Sequence, residues 1–479
     1  MVFNSFTFLF FFLVFFLAYY FVCGKRNQWQ NICLLVASYF FYGYADWRML
    51  PLLFISTLVF YLLGIYIEKA AVQKASLLTN LGVIGGIVIL LYFKYLGFFI
   101  DSFAALFNAM GLHTNIQSFQ IIMPIGISFF TFKLISYVVE IHRGHMMAER
   151  SFVNFATYIS FFPCILSGPI DRPAKFLPQL EKTRMLVYNQ AVDGCRQILW
   201  GLFKKVVIAD TCAIYVDNCW NNLGFESSLV LIISMYVYMI QMYADFSGYS
   251  DMAIGVGKVM GFTIAPNFKY PLFALNMADY WRRWHMSLTG WLTDYVFMPL
   301  NIRFRDWGKY GIVLAIIINM IVVGFWHGAN WTFGVFGLYH GLLFVPLIFS
   351  GAFFKKSKWK KTRWGQPALS DLCKMIMTVT LAAFGLVIFR ADDIMQFGEY
   401  MRCACTSFSG YCIERGMFPL TSFLFAFVML VVEWHNRKEE HGLVLKSNSH
   451  LLNFTIYYAL LLLILFFGGN ATQFIYFQF

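Results

Sequence analysis

Three histidines stand where they could move a proton. His327 closes one apolar stretch in Phe325-Trp326-His327-Gly328-Ala329-Asn330-Trp331, and His340 sits inside the next, in Tyr339-His340-Gly341. A neutral imidazole can take a proton from a hydroxyl or a thiol near pH 7. His327 therefore qualifies as a general base, and Gly328 suits a tight turn directly after it. The alternative for both is a hydrogen-bonded core histidine beside a helix break, and for His340 the spacing favours that alternative. The third, His285, ends Asp279-Tyr280-Trp281-Arg282-Arg283-Trp284-His285. Arg282 and Arg283 could grip the phosphates of a donor, with His285 lining its entry. On spacing alone, an amphipathic helix lying in a membrane interface is the better account of this segment.

Two further segments carry polar chemistry. Asp245-Phe246-Ser247-Gly248-Tyr249-Ser250-Asp251 interrupts an apolar run with carboxylates and hydroxyls. Ionisable groups at membrane depth are costly and mark function by default. Asp245, Ser247 and Asp251 read as a buried polar network, and no metal site is expected, because no His or Glu converges at ligand spacing. The sequence finishes on Phe474-Ile475-Tyr476-Phe477-Gln478-Phe479, almost wholly aromatic or apolar. Chain termini without a role are usually polar and frayed. This one is expected to dock, and its hydroxyl makes Tyr476 a possible nucleophile. Composition alone favours an interfacial aromatic anchor instead.

The elements that must position these groups are helices in a bilayer. Of the 479 residues, 60% are hydrophobic and 13% charged, against about 45–50% and about 25% in soluble domains. The chain is expected to be an all-α polytopic membrane protein, with residues 1–479 as one membrane domain. A spanning helix needs about 20 apolar residues. Candidates are 5–23, 32–44, 50–66, 77–93, 119–139, 198–216, 228–244, 310–326, 331–349, 372–390, 417–434 and 451–468. Segments 152–168 and 245–262 are apolar but broken by Gly, Pro or Asp, and are expected to be re-entrant or buried. Phe6 to Val22 is followed by no small-residue cleavage site and reads as a retained helix.

The net charge of +12 does not indicate nucleic acid. Its densest run, Lys355, Lys356, Lys358, Lys360, Lys361 and Arg363, lies between two apolar stretches. That is the positive-inside pattern of a cytoplasmic loop, which could also touch anionic lipid headgroups. With the other basic loops on the same side, both termini face outward. The ten cysteines include no C-x-x-C pair. No ATP-binding loop, H-E-x-x-H or G-x-S-x-G is present. A base thus lacks the usual hydrolase nucleophile, which leaves Tyr476 or a substrate hydroxyl to receive a transferred group.

Taken together and in order, Tyr92-Phe93-Lys94-Tyr95, Pro124-Ile125-Gly126-Ile127-Ser128-Phe129, Asp245 to Ala253, Trp281 to Leu288, Trp326-His327-Gly328 and Phe389-Arg390-Ala391 resemble the membrane-bound O-acyltransferase superfamily. The resemblance is to its bacterial polysaccharide O-acetylation branch, and it runs the length of the chain. It implies a helical ring with re-entrant segments around a transmembrane tunnel, in a bacterial cytoplasmic (inner) membrane. His327 matches the essential histidine and His285 the second family histidine. Tyr476 matches a C-terminal tyrosine proposed to carry the acyl group transiently, so 474–479 would dock at the active site. The implied donor is acetyl-CoA or another acyl thioester, with no bound cofactor. The implied partner is an extracytoplasmic serine acetyltransferase of the SGNH type, which would modify a polysaccharide. In the related D-alanyl transfer system the tyrosine motif lies on a separate small peptide. D-alanyl transfer, and a transporter without covalent chemistry, remain the alternatives.

Overall fold

The structure is a computed structural model, and it describes all residues except 113–120, 360–366, 408–419, 448, 469–473 and 476–479. It is helical, as the composition requires, and no β-strand occurs among the described residues. Seven helical stretches there are long and apolar enough to cross a bilayer. Their burial separates two roles. Only 6% of the apolar window is buried in Val72–Ala109 and in His450–Phe467, against 61% in Ser228–Val259. The first two present side chains such as Leu81, Val88 and Leu462 outward, as lipid-facing helices do. The third is a core helix. Phe6–Val22 and Leu420–His435 are shorter apolar helices.

The chain forms two compact units. One comprises Met1–Cys195 with Ala253–Ala265. Its polar centre is Arg184, whose side chain donates to Tyr19 Oη at 2.8 Å and to Asn27 Oδ1 at 2.9 Å, and whose backbone N–H donates to Gln30. A buried guanidinium is tolerable only when its donors are met in this way. The segment 152–168 is a nine-residue helix, Phe152–Ser160, followed by non-helical turns. Residues 161–170 are entirely buried, so the irregular backbone is covered by protein, as a bilayer demands. Gly126, at φ 73°, packs its α-carbon against the Ile165 carbonyl, where a side chain would collide.

The other unit comprises Arg196–Met252 with Pro266–Phe479 and holds the three histidines. Residues 245–262 were expected to be re-entrant or buried, and they are buried, but without re-entry or interruption, because Ser228–Val259 is one helix of 32 residues. The reason is that its polar side chains are satisfied sideways and leave the backbone ladder intact. Asp245 pairs with Lys205, Asp251 with Lys204, and Ser250 accepts from Asn267. Gly248 lies flat against Gly201 of the neighbouring helix: a Cβ on Gly201 would stand 2.6 Å from the Gly248 carbonyl oxygen. Close backbone approach thus brings Lys204 and Lys205, in the π-helical turn Phe203–Ala209, within reach of the carboxylates. The polar stretch after Arg390 contains a further helix, Ile394–Thr406, capped by Asp393.

Candidate active site

His327 is the last residue of the helix Gly308–His327, which pairs with Trp331–Leu343. The pair is held tight by glycines. A side chain at Gly324 would strike the Phe333 carbonyl, and one at Gly337 the Met320 carbonyl. Gly328 does not make the left-handed turn its type suggests: it is extended, at φ −167° and ψ 163°. Its missing Cβ instead leaves room for the Phe333 ring. His327 is buried, and its ring lies edge-on to Phe389 at 5.1 Å and to Trp326 at 4.9 Å.

His285 is fully buried and adopts a left-handed conformation, φ 43° and ψ 51°, as the N-cap of the helix Met286–Leu292. Asn267 holds it there. His285 Nδ1–H donates to Asn267 Oδ1 at 3.0 Å, the Ser287 hydroxyl donates to the same oxygen at 2.9 Å, and the Met286 N–H donates to the Asn267 carbonyl at 2.8 Å. The Asn267 amide is itself oriented by its donation to Ser250 Oγ at 3.0 Å. An amide oxygen only accepts, so Nδ1 carries the proton and Nε2 keeps the basic lone pair. The ring meets Phe246 at 4.6 Å and Trp326 at 5.5 Å, both edge-on. Trp326 therefore joins His285 to His327. Burial lowers the basicity of His285 well below its ordinary range, and a charge on His327 would lower it further.

His340 closes the same aromatic cluster from another side. Its ring lies 4.6 Å from Phe336, which also faces His327 at 6.3 Å. The Trp281 indole N–H donates to His340 Nδ1 at 3.4 Å, so the helix Met277–Trp281 is tied to the histidine cluster through its last residue. The two arginines that follow point elsewhere. Arg282 is exposed and donates to the carbonyls of Lys355 and Phe353, while Arg283 donates to Asp279 at 2.9 Å. Each retains further N–H groups for an anion.

Asp245, Ser247 and Asp251 are placed on the core helix. Asp251 contacts Lys204 at 2.5 Å and accepts from Gln197 at 2.8 Å. Lys204 also approaches Glu433, which accepts from Tyr243 at 2.8 Å. Ser247 is buried, with no hydrogen-bond partner for its hydroxyl among the described residues. Among those residues no cluster of three His, Cys, Asp or Glu side chains could hold a metal. Tyr476 lies outside the described residues. Phe474 and Ile475 are described and buried, and the Ile475 N–H donates to Asp245 Oδ2 at 2.9 Å.

Sequence reasoning passed over Asn267, Lys204, Lys205 and Glu433. The two lysines carried a signal, since adjacent ammonium groups inside an apolar run demand buried partners. Asn267 carried none, because an asparagine after proline is ordinary loop chemistry.

The profile of the membrane-bound O-acyltransferase family, MBOAT, matches residues 145–386, which contain all three histidines. The chain is 36% identical to "Probable alginate O-acetylase AlgI" of Pseudomonas putida, over 82% of this chain and 78% of that one. It is 29% identical to "Peptidoglycan O-acetyltransferase" of Helicobacter pylori, over 96% and 86%. It is 30% identical to "Teichoic acid D-alanyltransferase" of Bacillus subtilis, over 56% and 69%. With its spanning helices and its buried histidine cluster, the chain belongs to the membrane-bound O-acyltransferase family and is a multi-pass membrane acyltransferase.

Proposed function

We propose that the protein takes an acetyl group from a cytoplasmic acyl thioester, acetyl-CoA, and passes it through Tyr476 to an extracytoplasmic partner that O-acetylates a cell-surface or exported polysaccharide. One observation carries this reading. The residue before Tyr476 is bound to Asp245, and the next residue on that helix, Phe246, packs on His285 in the histidine cluster. The relatives support acetyl as the cargo: similarity to the acetylases covers 82% and 96% of the chain, against 56% for the D-alanyltransferase.

In this reading His327 accepts the Tyr476 hydroxyl proton. An unaided phenol, with a pKa near about 10, is a poor nucleophile at neutral pH. The phenolate oxygen attacks the thioester carbonyl, the C–S bond breaks, and the imidazolium returns its proton to the departing thiolate. The products are an acetyl-tyrosine ester and free coenzyme thiol. The aryl ester is a good donor for a second transfer, to the serine of an SGNH-type acetyltransferase outside the membrane. Arg282 and Arg283 bind the donor phosphates, and His340 supports the cluster. Asp245, Ser247 and Asp251 form its polar frame. In this reading the protein lies in a bacterial cytoplasmic membrane, and the distribution of basic loops supports both termini facing outward.

Intact-protein mass spectrometry after incubation with labelled acetyl-CoA tests this. Wild type gains one acetyl on Tyr476, and Tyr476→Phe and His327→Ala do not. An active Tyr476→Phe enzyme labelled elsewhere ends the relay, and label retained on Tyr476 in His327→Ala removes His327 from the base role. Loading from a D-alanyl carrier protein but not from acetyl-CoA would establish the D-alanyl alternative. Substrate uptake by proteoliposomes with no acyl turnover would establish a transporter.

A further inference from the structure

Lys205 is buried and lies between two carboxylates, Asp210 at 2.8 Å and Asp245 at 2.7 Å. An ammonium at membrane depth needs such neighbours, and a purely structural ion cluster would end there. This one does not. The second oxygen of Asp245 accepts the backbone N–H of Ile475 at 2.9 Å. The Lys205 ammonium stands 4.4 Å from the centroid of the Phe474 ring, and Tyr249 meets that ring edge-on at 5.0 Å. Phe474 is 2% exposed and Ile475 6%. Two consecutive residues near the end of the sequence are therefore held by charge: one by its ring face, one by its backbone.

We propose that Lys205 and Asp245 form a docking socket for the C-terminal segment and act as positioning residues for Tyr476. The Asp245 carboxylate fixes the Phe474–Ile475 peptide group, one peptide short of Tyr476. The side chain of residue 475 supplies none of this bond. Lys205 orients Asp245 and grips Phe474 by cation–π attraction. A hydrogen bond to a charged acceptor is among the stronger ones. The consequence for catalysis rests on Tyr476 as the acyl carrier, but the socket itself does not.

The test therefore reads docking apart from chemistry. In full-length Gln478→Cys protein, maleimide labelling is followed by mass spectrometry of the C-terminal peptide. Ile475→Pro removes the N–H and leaves the buried charges untouched, and Ile475→Val keeps the N–H. Labelling should speed up about 10–100-fold in Ile475→Pro and stay at the parent rate in Ile475→Val. Phe474→Leu, which loses the cation–π contact, should fall between them. Equal rates in Ile475→Pro and its parent overturn the socket, whatever Tyr476 does. If Ile475→Pro releases the segment while Tyr476→Phe keeps full turnover, the socket stands and the carrier reading falls.

Discussion

His285 Nδ1 and Asn267 Oδ1 are 3.0 Å apart, and that contact decides which nitrogen of the histidine can act as a base. The left-handed backbone at His285 costs about 1–3 kcal/mol for a side chain with a Cβ. It is retained because Asn267 binds three consecutive residues, 285, 286 and 287. The same asparagine thus holds the backbone turn and the ring tautomer. A strained residue fixed from several directions beside a second histidine fits the proton-handling role proposed for this cluster.

Asn267→Ala should therefore reduce acyl transfer by about 100-fold or more, the usual share of a positioned acid or base, with little change in donor KM. Steady-state kinetics in detergent would measure both. Asn267→Asp keeps an acceptor at the same place and should restore a substantial part of the rate. Equal losses in kcat and in folded yield would reduce Asn267 to a structural role.

Lys204 faces Asp251 at 2.5 Å and Glu433 at 3.8 Å. Lys204→Met would leave the buried Glu433 and the partly buried Asp251 with no cation between them. Stranding a buried charge costs about 3–5 kcal/mol, so a marked drop in thermal midpoint is expected for the purified protein. The triple change Lys204→Met, Asp251→Asn, Glu433→Gln removes all three charges and should recover much of that loss. A single variant as stable as wild type would mean that the cluster is neutralised by another route.

The sequence was most legible where chemistry and period coincide. Trp326-His327-Gly328 marked the end of a spanning helix, and the helix does end there. The run from Trp281 to His285 read, on spacing alone, as an amphipathic interfacial helix, whereas its first and last residues are buried and reach His340 and Trp326. What misled was the assumption that polar residues break a membrane helix. Asp245, Ser250 and Asp251 do not, because Lys205, Asn267 and Lys204 answer them from elsewhere in the chain. Partners 17 to 47 residues away leave no trace in a local window. The same holds for Asn267, whose role exists only once residues 250, 285 and 287 surround it.

Gly385 tests the packing account of His340. A Cβ at that position would stand 2.5 Å from His340 Nε2. The ring has nowhere to turn, because Trp281 holds Nδ1 and Phe336 lies 4.6 Å from its centroid. Gly385→Ala should therefore cost about 1–3 kcal/mol by overpacking, seen as a lower thermal midpoint. Gly385→Ala combined with His340→Ala should relieve that collision and be more stable than the sum of the two single losses predicts. Strict additivity would show that the two residues do not meet.

Gly334 and Gly337 lie one turn apart on the helix Trp331–Leu343 and should respond differently to alanine. At Gly337 the new methyl would meet backbone, the Met320 carbonyl and the Ile321 α-carbon at 2.7 Å, and backbone cannot step aside without separating the helices. At Gly334 it would meet only the end of the Phe325 ring, at 2.8 Å, which can shift. Separation of the pair would move Trp326 and His327, on the helix that Gly337 contacts, away from His285. Gly337→Ala is thus expected to lower both stability, by about 1–3 kcal/mol, and turnover per folded molecule. Gly334→Ala should affect stability by less and leave turnover near the wild-type rate. Size-exclusion yield, thermal midpoint and acetyl transfer, measured on the two variants side by side, separate these outcomes. A Gly337→Ala enzyme as fast as Gly334→Ala would show that the histidine pair does not depend on the spacing of this helical hairpin.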